Sequence, residues 1–97
     1  MAITVVSRWK GDPQNTRLVR ELAPFLKKYG AVSVRWGLCH AGANAGESFA
    51  AITFSDWTTY GSAMQAVSED ANYMKIYAEA SKIFELQERS VIVTEDL

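Results

Sequence analysis

The chain has 97 residues, 48% of them apolar and 22% charged, with a net charge of −1. That is one domain's worth of ordinary globular sequence, with no apolar run near the roughly 18 residues of a membrane span. No basic excess or block of like charge marks a nucleic-acid footprint, one cysteine (Cys39) excludes a disulfide framework, and one histidine (His40) leaves no zinc cluster to build.

Ala2 to Lys10 (AITVVSRWK) is rich in β-branched and aromatic residues and reads as a strand. Gly11-Asp12-Pro13 ends it, with Asp12 placed to cap a helix and Pro13 at its first position. Leu18, Val19, Leu22, Phe25, Leu26 and Tyr29 recur at helical spacing, which predicts a helix over Gln14 to Tyr29 stopped by Gly30. Pro24 lies inside it and removes the backbone bond to the Arg20 carbonyl. The periodicity continues beyond Pro24, so a kink or a looser last turn is expected there.

Val32, Val34, Trp36 and Leu38 alternate with small or polar residues, which is strand period. The small-residue turn Ala41 to Gly46 joins this second strand to a third, Glu47 to Ser55, as a hairpin. Ser55 and Asp56 can cap a second helix whose stripe is Trp57, Tyr60, Met64 and Val67. Ser68-Glu69-Asp70 should break it, with Asp70 capping a fresh start that carries Tyr73, Met74, Tyr77 and Ala80. Phe84 to Glu95 reads as a fourth strand.

The order β-α-β-β-α-β is the split βαβ, ferredoxin-like arrangement: an α+β fold with a four-stranded antiparallel sheet and its helices on one face. The other face is not polar enough for water. Val6 lies opposite Ile3 and Val5 in the alternation, the third strand is apolar or small on both sides, and Ile92 opposes Val91 and Val93. Three Trp, four Tyr and four Phe are a large load for a domain burying about 65% of its unfolded surface. A homodimer closed through its sheets would supply the second cover.

ITVVSRWKG at the start, FSDWTTYGSAM at the second helix and EDANYMKIY after it, in the βαββαβ order, resemble the dimeric α+β barrel superfamily over essentially the whole chain. Its members include antibiotic-biosynthesis monooxygenase-like and NIPSNAP-like proteins. The resemblance implies two ferredoxin-like subunits whose sheets enclose a cavity, and action on small organic molecules. In some members that action is cofactor-independent oxygenation of aromatic or polyketide-like compounds. In others it is lactone isomerisation or haem binding. Monooxygenase-like members often end the third strand with Glu-x-Trp and carry a His two turns into the next helix. The corresponding positions here are Ile52, Phe54 and Ala63, so those polar groups are missing. The haem-degrading branch needs a histidine late in the second helical region, where the nearest candidate is Tyr77. Haem breakdown is not expected, and no cofactor is called for.

Three arginines lie in strands among apolar residues: Arg8, Arg35 and Arg89. Alternation sets Arg8 with Thr4 and Val6, and Arg35 with Ser33 and Cys39. In a cavity, Arg8 and Arg35 would bind a carboxylate or phenolate by bidentate hydrogen bonds. The plainer reading pairs them with Glu47, Glu88 or Glu95. His40, beside a turn of small residues, is a candidate general base that would ionise a phenol or enol for reaction with oxygen, or else a solvated hairpin histidine. Trp57, Tyr60 and Tyr77 belong to a helical stripe that is either core or the apolar wall of a ligand site. The sequence thus points to a cytoplasmic, dimeric small-molecule-binding protein. The expected ligand is a small aromatic or acidic organic compound, and neither nucleic acid nor membrane is a partner. A non-catalytic stress, assembly or ligand-carrying protein is the alternative.

Overall fold

The computed structural model describes residues 1–97. Its elements are β1 (Ala2–Lys10), α1 (Arg17–Lys28), β2 (Ser33–Leu38), β3 (Ser48–Phe54), α2 (Trp57–Glu69), α3 (Ala71–Ile83) and β4 (Glu85–Thr94). The strands form one sheet in the order β2-β3-β1-β4, every neighbour antiparallel. This is the ferredoxin-like topology, with the second helical region divided into two helices.

Alternation along β1 decides the two faces. Ile3, Val5, Ser7 and Trp9 are buried, while Thr4, Val6 and Arg8 between them are half-buried and point away from the helices. Cross-strand pairing carries this division over the whole sheet, because directly opposed residues share a face. Val5 therefore sits with Ile52, Val34 and Val91, and Ser7 with Ala50, Trp36 and Arg89. On this inner face Ile3 and Phe54 are wholly buried against Leu26 of α1 and Ala63 and Val67 of α2. β4, by contrast, has no buried residue: Val91 is 42% and Val93 49% exposed.

Local chemistry explains the helix boundaries. α1 starts at Arg17, three residues later than the sequence predicts, and Asp12 does not cap it. Asp12 instead closes a turn: its Oδ1 accepts from the Gln14 N–H and its carbonyl from the Asn15 N–H, both at 3.0 Å. That turn satisfies the donors a helix start would have left open. α1 continues through Pro24 to Lys28. It ends with the Gly30 N–H bonded to the Lys27 carbonyl and the Ala31 N–H to the Leu26 carbonyl. These are the two bonds of a Schellman cap, and Gly30 supplies the positive φ, 122°, that it needs.

Asp56 caps α2 by accepting from the Thr59 N–H at 2.7 Å. Asp70, extended at φ −86° and ψ 107°, ends α2 and caps α3, its Oδ1 accepting from the Asn72 and Tyr73 N–H groups. The division at Asp70 is the one the sequence predicts. Tyr29 reaches across from α1 and donates its hydroxyl to Asp70 Oδ2 at 2.6 Å. One carboxylate therefore fixes both the start of α3 and its distance from α1.

Candidate functional site: a cavity between helices and sheet

The helices do not fill the inner face of the sheet. Two adjoining chambers, of about 100 and about 310 Å³, lie between them. They share Ser7, Leu26, Ile52, Tyr73, Tyr77 and Arg89 as lining. The larger chamber reaches the low end of the volume range of small-molecule sites. Trp9, Trp36 and Phe84 wall the smaller one, and Tyr60, Met64 and Met74 the larger.

The lining is built from ring contacts. Tyr73 and Tyr77, one turn apart on α3, stack at 6.0 Å with 20° between their planes. Trp9 meets Tyr77 edge-on at 6.4 Å. Arg89 rises from β4 opposite Ser7, so its guanidinium stands 5.7 Å over the Trp9 ring and donates to the Tyr77 hydroxyl at 3.2 Å. Arg89 makes no ion pair, in contrast to Arg8. An arginine stacked on an indole face is attracted by the ring's quadrupole, and Arg89, being exposed, otherwise meets solvent rather than a carboxylate. Ser7 is 96% buried and accepts the Trp9 indole N–H at 2.9 Å. Its own hydroxyl hydrogen remains available to the cavity, because that bond uses Ser7 only as an acceptor. Burial, the largest cause, raises the Tyr73 phenol's pKa, so Tyr73 stays neutral.

Among the residues singled out from sequence, Tyr77 lines both chambers and Tyr60 the larger one. Trp57 packs edge-on against Tyr60 at 6.1 Å, but is half-exposed and stands outside both. Arg35 belongs to the cavity's β2 rim, at the sheet edge. Its pairing opposite Ala51 assigns its side chain to the outer face with Val6. Arg8 is also on the outer face, where it donates to Glu47 at 2.6 Å and to Glu88 at 3.3 Å. Glu47 first, then Glu88, raise its pKa further. His40 is exposed in the hairpin connection and lines neither chamber. The residues that do meet in the cavity include three not proposed from sequence as ligand contacts: Ser7, Trp9 and Arg89. Ser7 and Arg89 share one signal, a polar or charged side chain facing the helices, and seeing it requires the register of β1 against β4. No cluster of three or more His, Cys, Asp or Glu side chains could hold a metal ion.

No protein-family model and no curated protein matches the sequence. Solved structures match its fold. SnoaB, a cofactor-independent oxygenase from Streptomyces nogalater, superposes in its N63A variant with a TM-score of 0.73 at 13% identity, over 99% of this chain and 95% of that one. A dimeric ferredoxin-like protein from an uncultured marine organism superposes with a TM-score of 0.71 at 10% identity, over 98% of each chain. A NIPSNAP family protein from Agrobacterium tumefaciens gives a TM-score of 0.67 at 16% identity, over 97% of this chain and 94% of that one. At such identities the likeness is one of fold.

Proposed function

We propose that the protein binds a small, planar, acidic organic molecule between its helices and its sheet, as a homodimer associated through the opposite face of that sheet. The observation that carries the ligand reading is Arg89, an exposed cation with no carboxylate partner that stands at the mouth of an apolar, ring-lined cavity. A bound phenolate, enolate or carboxylate would supply the missing charge, with Tyr77 and Ser7 as further hydrogen-bond partners and the Trp9, Tyr60 and Tyr73 rings against its plane. The dimer is supported by the exposed apolar groups of the outer face, such as Ile92 at 45%, and by a fold neighbour described as dimeric.

Catalysis in this site is cofactor-independent oxygenation. The Arg89 cation favours the ionised form of an acidic phenol or enol, whose proton passes to solvent. A ring carbon of that electron-rich anion bonds dioxygen. The hydroperoxide formed on reprotonation loses water by O–O cleavage, so one oxygen atom stays as a carbonyl and the other leaves as water. The similarity of fold to SnoaB supports this reading. A second reading, a ligand carrier without catalysis, is favoured by one specific feature. The ionisable groups around the chambers are arginines and tyrosines, with no carboxylate or imidazole to act as a base near neutral pH.

Oxygen uptake separates the two. The protein, treated with a chelator, is mixed with a series of hydroxynaphthalenes and hydroxynaphthoates in an oxygen electrode. Oxygenation is expected to give uptake above the protein-free rate, lowered at least tenfold by Arg89→Ala. A carrier would bind the same compounds and leave the uptake at the protein-free rate.

A further inference from the structure

The two chambers differ in chemistry as well as in size. Ser7, Tyr73, Tyr77 and Arg89 line both, so the polar groups gather on the shared wall. Beyond that wall the smaller chamber is bounded by Leu22 of α1, Val34 and Trp36 of β2, and Phe84 at the end of α3. Every polar side chain on this part of the lining is already engaged. The Trp36 indole N–H donates to the Pro13 carbonyl at 3.1 Å, the Trp9 indole N–H to Ser7 at 2.9 Å, and the Ser81 hydroxyl to the Tyr77 carbonyl at 2.9 Å. Arg35 is exposed, and its strand position turns its side chain to the outer face. A buried water needs several polar partners, and an apolar void without them stays dry. Away from the shared wall, the smaller chamber therefore favours hydrocarbon over water.

Three alanines leave this space. Ala23 of α1, Ala50 of β3 and Ala80 of α3 all line the smaller chamber, and a larger apolar side chain at any of them would fill part of it. The far wall is held in place from behind. Trp36 meets Phe84 edge-on at 5.1 Å, and the Phe84 ring occupies the place that a Cβ on Gly11 would take.

Resting on the anion site proposed above, we propose that the smaller chamber is a subsite for a short aliphatic chain, carried on the ligand's ring beside its acidic group. The anion meets Arg89 at the shared wall, the ring lies in the larger chamber, and the chain enters the smaller one. An apolar cavity of about 150 Å³ holds benzene, so a chamber of about 100 Å³ suits a chain of about four carbons. Ala23 and Ala50, on opposite walls, set the length of chain accepted.

The test is a series of 1-hydroxy-2-naphthoates carrying hydrogen, methyl, ethyl, n-butyl or n-octyl at ring carbon 3, beside the carboxylate. Each is titrated by calorimetry against wild type, Ala23→Leu, Ala50→Val and Arg89→Ala. Wild-type affinity is expected to rise about threefold for each carbon up to about four, then to level off or fall at octyl. In Ala23→Leu and Ala50→Val the ratio of butyl to unsubstituted affinity should drop at least tenfold. Thermal melts show whether each variant is folded, and the wild-type series stands without them. An affinity independent of chain length, a rise that continues unchanged to octyl, or a ratio untouched in both filled variants overturns the subsite. The anion site is read separately, from the unsubstituted compound and its loss of affinity in Arg89→Ala. A series in which no member binds overturns both.

Discussion

Asp70 concentrates several roles in one side chain. Its carboxyl is held below the ordinary carboxylate range, first by the hydroxyl of Tyr29 and then by the N–H groups of Tyr73 and Asn72. The same bond to Asp70 raises the Tyr29 phenol. The two shifts act at opposite ends of the pH scale. A carboxyl lowered on folding stabilises above its unfolded pKa, about 3.9, and that stabilisation is lost as pH falls through the lower folded value. A phenol raised on folding stabilises fully below its unfolded pKa, about 10, and the gain is lost as pH rises through the folded value. Tyr29→Phe is therefore expected to lower the melting temperature by a constant amount, a few degrees at most, between roughly pH 5 and pH 9. The deficit should shrink below about pH 4 and above about pH 10. Melting curves across that range check it, and a deficit unchanged at both extremes would mean that the hydroxyl contributes through packing alone. Two of the strand arginines show the same dependence on surroundings. Arg8 is compensated twice, while Arg89 has no ion pair and stands beside Trp9 and Tyr77 in the cavity lining.

At the scale of elements, the fold depends on stops as much as on periodicity. Gly30 closes α1 with a φ of 122°, and a Cβ there would lie 2.6 Å from Thr59 Cγ2 of α2. Gly30→Ala is expected to cost about 1–2 kcal/mol from backbone strain, with more from that contact. Urea titration would show it as a lower midpoint at unchanged slope. Such punctuation is local, and for that reason it was legible. Gly30, Asp56 and Asp70 announce their helix ends in the sequence, and β-alternation announces the strands and the hairpin. Asp12-Pro13 announces a helix start just as clearly, yet a local turn consumes its donors and the helix begins at Arg17. The cavity was less legible because it depends on register. That Ser7 meets Arg89 follows from the pairing of β1 with β4, more than 80 residues apart and offset by a bulge between Arg8 and Trp9. Residues such as Tyr60 and Tyr77 could be placed on a helical stripe, but not assigned to a chamber rather than to solid core.

At the scale of the molecule, the sheet separates two functions. Its inner face, with three helices, leaves chambers lined by rings, with Arg89 common to both. Its outer face is flat, half apolar and charged at its edges, which suits another copy. Only 14 of 97 residues are buried in the isolated chain, and β4 contributes none, so association would complete what the single subunit leaves open. No helix is long and apolar enough to cross a membrane, so the exposed apolar groups of β4 are not part of a spanning helix. If Arg89 makes the inner cavity an anion site for a planar ring, as proposed, titration of 1-hydroxy-2-naphthoate will register in the tryptophan fluorescence, since two of the three tryptophans, Trp9 and Trp36, line the cavity. Saturable quenching is expected in the wild type, with Arg89→Ala binding at least tenfold more weakly. Equal affinity in the two proteins would contradict the claim.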